Sequence, residues 1–131
     1  MNRVAIESTV EYMFEALNNG DYEEFLGFFD DDLVFIHSGG AMKKQALTQF
    51  YNRIDTIFQD NHHEIERILI DGSSAVVDCT WSGTHIGAYQ DIEPSHKYFE
   101  TPVTWLFDFV DGKIVYAKRI VDNHVLSRLT E

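Results

Sequence analysis

Residues 74–87 read SAVVDCTWSGTHIG, a run in which apolar and polar side chains largely alternate. It is flanked by three further segments rich in β-branched and aromatic residues: residues 63–70, 98–110 and 113–123. The pairs Asp71-Gly72 and Asp111-Gly112 separate neighbouring segments, and an Asp-Gly pair at such a point is typical of a two-residue hairpin turn. The second half of the chain therefore predicts a long antiparallel meander.

The first half carries helical spacing instead. Apolar residues recur every three or four positions over about residues 3–19, and the pattern stops at Gly20, which suits a helix C-terminus. A short second helix, capped by Asp21, should end near residue 30, a short strand should cover residues 33–37, and a third helical stripe covers residues 43–59. Three helices ahead of a sheet must cover one of its faces, because neither layer can bury its apolar side alone. The predicted fold class is α+β.

Length and charge restrict the function. The chain has 131 residues, which is typical of a single domain. Its formal net charge of -12 repels phosphate groups, so nucleic acids and anionic membranes are poor partners. The N-terminal residues lack the apolar stretch of a signal peptide and no run is long enough to span a membrane, which predicts a cytoplasmic protein. The only cysteine, Cys79, excludes an internal disulfide.

Several motifs of the second half follow one another in a definite order. They are WSGTHIG at residues 81–87, DIEPSHK at 91–97, DGK at 111–113, and Asp122 followed by Leu126. In this order and spacing they resemble the SnoaL-like family of the NTF2-like superfamily, which includes polyketide cyclases and steroid Δ-isomerases. The resemblance implies a cone-shaped fold, a single domain over residues 1–131, in which a curved antiparallel sheet and three N-terminal helices enclose an apolar pocket.

The sequence departs from the family at several positions. His96 stands where SnoaL-like proteins usually have Gly, and residues 116–119, YAKR, stand where the last strand usually carries an acidic residue and a Trp. Against the steroid isomerases, the oxyanion Tyr aligns with Met13, the base Asp with His37 and the second oxyanion acid with about Trp105. None of the three isomerase residues is retained, so steroid isomerisation is disfavoured.

Strand alternation predicts which side chains face the pocket. In residues 74–87, Trp81 and His85 lie on the apolar face, and in residues 98–110 so do Trp105 and Phe107. In the last strand both faces carry apolar residues, so periodicity leaves the inner face open. The resemblance selects the face that carries Ile120 and Asp122.

Asp122 and His85 are the predicted catalytic residues. A carboxylate in apolar surroundings has a raised pKa and is a stronger base, which suits Asp122 for taking a proton next to a carbonyl. His85 could donate a proton to a substrate oxygen or polarise Asp122. The alternative for both is structural: Asp122 would end a strand by binding a backbone N–H, and His85 would be a partly buried core histidine.

The residues predicted to bind the ligand are mostly aromatic: His37, Tyr51, Trp81, Trp105, Phe107 and Ile120. The other histidines fall at strand or loop ends and are expected to be exposed: His62, His63, His96 and His124. No His-x-x-x-His spacing occurs, and neither a metal nor a cofactor is predicted.

Two functions remain open. The first is a cofactor-free isomerase or cyclase acting on a small apolar or aromatic carbonyl compound by Asp/His acid–base catalysis. The alternative is a non-enzymatic ligand-binding or protein-association domain, since this fold uses its pocket and outer sheet face for many purposes. An Asp122 buried beside a sizeable cavity favours the first, and an exposed Asp122 with the pocket filled by Phe and Trp side chains favours a binding partner or scaffold. The outer face of the long sheet predicts a homodimer.

Overall fold

The computed structural model describes residues 1–37, 40–89 and 92–121. Its helices are α1 (Arg3–Asn18), α2 (Tyr22–Leu26), α3 (Lys44–Tyr51) and α4 (Ile54–Ile57). Its strands are β1 (Phe29–His37), β2 (Gly40–Met42), β3 (Phe58–Asp71), β4 (Ser74–His85), β5 (Tyr98–Val110) and β6 (Lys113–Val121). The strands form one curved, unclosed sheet in the order β2-β1-β6-β5-β4-β3, which confirms the α+β class and the cone-shaped NTF2-like fold.

Strands β3 to β6 form the predicted antiparallel meander. Asp111 and Gly112 both have positive φ, 51° and 80°, as a tight hairpin turn with right-handed strand twist requires. The other turn lies one residue later than predicted, at Gly72-Ser73. Strand β1 is longer than predicted and pairs parallel with β6, a neighbour that the hairpin pattern does not reveal.

The predicted helix at residues 43–59 is divided into α3 and α4. It ends early because Phe58 and Gln59 already pair with His85 and Thr84 of β4. Asp60 has a φ of 55°, and the pairing register shifts between Gln59 and His62, which forms a bulge at the start of β3. Pairing with β4 therefore outweighs the local helical spacing.

The core lies between α1 and the inner face of the sheet. Alternate side chains of β4 and β5 are buried, including Trp81, Trp105 and Phe107, which confirms the predicted inner faces of these two strands. Phe14 of α1 lies 6.2–6.4 Å, between ring centroids, from the rings of Phe25, Trp105 and Phe107. None of the described helices is long and apolar enough to cross a membrane.

The inner face of β6 differs from the prediction. Asp108 pairs with Tyr116 and Phe109 with Ile114, so Val115 is an extra residue that forms a bulge. The bulge reverses the alternation: Arg119 lies opposite Trp105, whereas Ile120 belongs to the outer face and is 53% exposed. The predicted ligand-binding position of Ile120 is therefore wrong. A homodimer through the outer face stays a prediction.

Candidate functional site

A cavity of about 360 Å³ opens between α3 and the inner face of the sheet. Most of its wall is apolar: Phe35, Met42, Ala46, Leu47, Phe50, Ile57, Ala88 and Trp105. The polar side chains on the wall are fewer: His37, Gln49, Tyr51, Arg53, Tyr89 and Arg119. Such a site, apolar with a few convergent polar groups, is typical of small-molecule pockets.

Three of the residues predicted to bind ligand line this cavity, namely His37, Tyr51 and Trp105. Trp81 and Phe107 share their face of the sheet but lie in the packed core beside the cavity. The Trp81 indole N–H donates a hydrogen bond to Asn61 Oδ1 at 2.6 Å. Phe107 packs against Phe29 and Trp105, with ring centroids 6.0 and 5.5 Å away.

His37 and Arg119 are neighbours because β1 and β6 pair in parallel, with the two residues directly opposite each other. Facing residues of paired strands are roughly 5 Å apart, so their side chains enter the cavity side by side. The His37 ring stacks on Phe35 at 5.8 Å, and its Nδ1 lies 3.4 Å from the Arg119 carbonyl oxygen. Strand β6 thus places the Arg119 guanidinium next to the His37 ring of β1.

The His37 imidazole is available as a proton acceptor at neutral pH, although its lowered pKa makes it a weaker base than an ordinary histidine. Burial, and secondarily the charge of Arg119, lowers the pKa of His37 below its ordinary value. The ring is therefore neutral at pH 7, and the tautomer with the proton on Nδ1 leaves a lone pair on Nε2. A neutral imidazole in a cavity can take a proton from a bound molecule and return it.

Arg119 is a functional candidate that sequence reasoning missed. Its guanidinium carbon lies over two indoles, 4.8 Å from the Trp81 ring centroid and 5.5 Å from that of Trp105. No described residue accepts a hydrogen bond from its buried Nε. Burial lowers the pKa of Arg119, but an arginine remains charged at neutral pH. The sequence shows Arg119 as the last residue of YAKR, in place of the usual acidic residue and Trp. Its inward orientation depends on the bulge at Val115, which the sequence pattern does not predict.

Two tyrosines complete the polar wall. Burial raises the pKa of Tyr51 to about 12 and also raises the pKa of Tyr89. The charge of Arg119 opposes this shift in both. Both hydroxyls are therefore protonated at neutral pH, so neither neutralises Arg119.

His85 is fully buried but does not line the cavity. Its Nδ1 accepts a hydrogen bond from the Ser95 N–H at 3.1 Å and lies 3.0 Å from Ser95 Oγ. These contacts fix the loop that precedes β5. Asp122, the other predicted catalytic residue, lies outside the described residues, as does His124.

The prediction that His63 is exposed is wrong. The ring is 1% exposed and stacks on Trp81, with centroids 6.1 Å apart. Within the described part of the chain, neither ring nitrogen has a hydrogen-bond partner. Burial, with smaller contributions from Arg119 and His62, holds the pKa of His63 well below its ordinary value. The sequence pattern places His63 at a strand end, but β3 begins at Phe58, so His63 lies within the strand and faces inward.

The described residues contain no group of three or more His, Cys, Asp or Glu side chains that could hold a metal ion. The polar groups that converge on the cavity are instead one histidine, two tyrosines and two arginines, together with Gln49. They can donate hydrogen bonds, and His37 can exchange a proton.

A model of the SnoaL-like domain matches residues 10–117. The chain belongs to the SnoaL-like family. Membership of this family agrees with the observed fold, and the matched region ends two residues before Arg119.

His96 stands where SnoaL-like proteins usually have Gly. Its φ of 57° lies in the region that favours glycine, and its side chain is exposed. The exposure expected for His96, and also for His62, is confirmed.

Solved structures share the SnoaL-like fold at low identity. TsrD from Streptomyces laurentii is 19% identical, with a TM-score of 0.86 over 98% of this chain and 96% of that chain. IdmH from Streptomyces antibioticus, described as a candidate polyketide cyclase, is 21% identical, with a TM-score of 0.79 over 95% and 96%. A candidate SnoaL-like polyketide cyclase from Jannaschia sp. CCS1 is 19% identical, with a TM-score of 0.82 over 99% and 95%. No curated protein sequence matches the chain.

Proposed function

We propose that this SnoaL-like protein is a cofactor-independent isomerase or cyclase that acts on a small, mostly apolar carbonyl compound bound in the cavity. One observation carries the proposal: the neutral His37 imidazole and the charged Arg119 guanidinium occupy facing positions of β1 and β6 and line the same apolar cavity. The cavity is open rather than filled by Phe and Trp side chains, which favours a small-molecule ligand over a purely scaffolding role. The descriptions of IdmH and the Jannaschia protein agree with it.

The chemistry uses a base and a cation. His37 takes a proton from the carbon next to the carbonyl, and the C–H electron pair forms the enolate, whose oxygen Arg119 stabilises. In an isomerisation, the enolate electrons move back to form a C–H bond at another carbon, using the proton on His37. In a cyclisation, the enolate carbon bonds to a second carbonyl carbon of the same molecule, and the alkoxide that forms takes that proton.

Asp122 lies outside the described residues, and its predicted role as the catalytic base stays a prediction beside the role proposed for His37. An Asp122→Asn variant keeps the shape of the side chain but removes the acceptor, so turnover should fall by about 10²–10⁴, the usual contribution of general acid–base catalysis. Full turnover in this variant would contradict the role of Asp122 and leave that of His37 intact. For His85, the hydrogen bonds to Ser95 support the structural alternative, and we assign it no proton transfer.

Proton exchange tests the proposal without knowledge of the natural substrate. We would incubate the protein in D₂O with 2-tetralone, an aromatic ketone with acidic α-protons, and follow the loss of the α-proton signals by NMR. The wild type should accelerate exchange over buffer, and His37→Gln should lower the enzymatic rate by about 10²-fold or more.

His62→Gln is the matched control, because the His62 side chain is exposed and bonded to Glu64 at 3.2 Å, away from the cavity. It should exchange at the wild-type rate. Equal rates in wild type and His37→Gln would exclude His37 as the base. No acceleration by the wild type, combined with measurable 2-tetralone binding, would favour the non-enzymatic ligand-binding alternative.

A further inference from the structure

The charged side chains of this protein differ in how they are neutralised. Lys44 lies 3.4 Å from Asp31, and Arg67 lies 2.9 Å from Asp78, both near solvent. Arg119 is the contrasting case, because within residues 1–37, 40–89 and 92–121 no carboxylate forms an ion pair with it. The Arg119 side chain is partly buried against two indoles, and a cation drawn partly out of water is typically matched to an anion.

The donors around Arg119 also lack acceptors. The Nε of Arg119 and the indole Nε1 of Trp105 are both buried, and neither has a hydrogen-bond partner in the described part of the chain. Both residues line the cavity, where the guanidinium lies 5.5 Å from the Trp105 ring. Because both atoms are closed to solvent, a ligand in the cavity would reach Arg119 through its Nη atoms, which are not among the buried unpaired atoms of the described residues.

From these contacts we infer that the ligand is an aromatic or bulky apolar oxo acid, whose carboxylate binds Arg119 next to the Trp105 indole. The inference rests on the proposed function and specifies its substrate class. A carboxylate is planar, carries only acceptors and matches the donor fork of a guanidinium. Phe35, Leu47 and Phe50 provide the apolar wall for the rest of the molecule.

The position of His37 agrees with an acid whose carbonyl lies near the carboxylate. Arg119 has five N–H donors, enough to contact the carboxylate and the neighbouring carbonyl oxygen together. The carbon beside that carbonyl would then lie near His37, on the adjoining strand. One residue would thus both select the acid and stabilise its enolate.

The test compares a carboxylate with its neutral isostere. We would measure the binding of 1-naphthylacetate and 1-naphthylacetamide by isothermal titration calorimetry at pH 7.5. The wild type should bind the acid about tenfold or more tightly than the amide, because hydrogen bonds to a charged group contribute more than neutral ones. Arg119→Met should bind both compounds with similar Kd.

Arg3→Met is the control for net charge, since Arg3 is exposed on α1 and its guanidinium bonds the Ile70 carbonyl. It should keep the preference for the acid. Equal binding of acid and amide by the wild type would overturn the inference, as would an unchanged preference in Arg119→Met. If Arg119→Met does not fold, the wild-type comparison decides alone. A failure of 2-tetralone exchange would count against the proposed catalysis, whereas equal binding of acid and amide would count against the carboxylate site. The two proposals therefore fail in distinguishable ways.

Discussion

The inner face of the sheet has two regions of opposite character. Under α1 and α2 it is closed by aromatic rings in mutual contact, including Phe14, Phe25, Phe29 and Phe107, with centroids 5.3–6.4 Å apart. Under α3 it is open, and the same layer of side chains ends in a histidine, a cation and the cavity. Trp105 belongs to both regions, since it contacts Phe14 and also lines the cavity.

The difference follows from how much each helix buries. Helix α1 contributes six buried residues, whereas α3 contributes Leu47 and Tyr51. Beneath the short α3 the inner face carries His37 and Arg119 beside apolar residues, and side chains do not fill the space. One half of the layer therefore determines stability, and the other half is available for ligand binding.

The largest expected effect comes from the closed region. Phe107→Ala removes a fully buried ring from the contacts with Phe14 and Phe29, and the free energy of unfolding should fall by about 3–5 kcal/mol. Phe50→Ala, at the cavity wall and only partly buried, should lower it by less than about half as much. Urea unfolding measures both, and equal losses would remove the distinction between the two regions.

A smaller effect of opposite sign is expected at Arg119. Arg119 is partly buried and has no ion pair within the described residues, so its desolvation costs free energy, whereas its two cation–π contacts return about 0.5–2 kcal/mol each. Arg119→Met should therefore raise the free energy of unfolding of the ligand-free protein by about 1 kcal/mol, while the preference for acidic ligands is lost. A variant less stable than the wild type would mean that the cation–π contacts of Arg119 outweigh the cost of its desolvation.

The sequence could predict the faces of β4 and β5, because both alternate strictly and are paired along their whole length. It could also predict the Asp111-Gly112 turn, since both residues adopt positive φ there. It could not predict the parallel pairing of β1 with β6, which joins segments that are far apart in the chain and leaves no local pattern. That pairing places His37 next to Arg119.

The site was less predictable for a related reason. The bulge at Val115 shifts the alternation by one residue, so Arg119 faces inward and Ile120 outward. His63 is buried for a different reason, because β3 begins at Phe58 and His63 therefore lies within the strand, opposite Trp81. A bulge depends on the register of the partner strand, which no spacing within one strand reports. The family resemblance predicts the fold and the pocket, whereas the residues His37 and Arg119 follow only from the register of β6 with its neighbours.

The smallest expected effect concerns His63, at the border of the two regions. Burial holds its pKa well below the value of about 6.5 that it has in the unfolded chain, so below pH 6.5 the unfolded state binds more protons than the folded state. The contribution of His63 to the free energy of unfolding should be fully present above pH 7. It should decrease as the pH falls, by about 1 kcal/mol between pH 7.5 and 5.5. His37, whose pKa is also lowered, contributes in the same direction.

His63→Phe separates the two contributions, because it removes the titrating ring and both unpaired nitrogens but keeps an aromatic side chain against Trp81. Urea unfolding at several pH values should show a shallower slope for this variant than for the wild type. His62→Gln, which changes an exposed neighbour, should keep the wild-type slope. If His63→Phe kept the full slope as well, the acid sensitivity would be assigned to the open region, where His37 lies on the cavity wall.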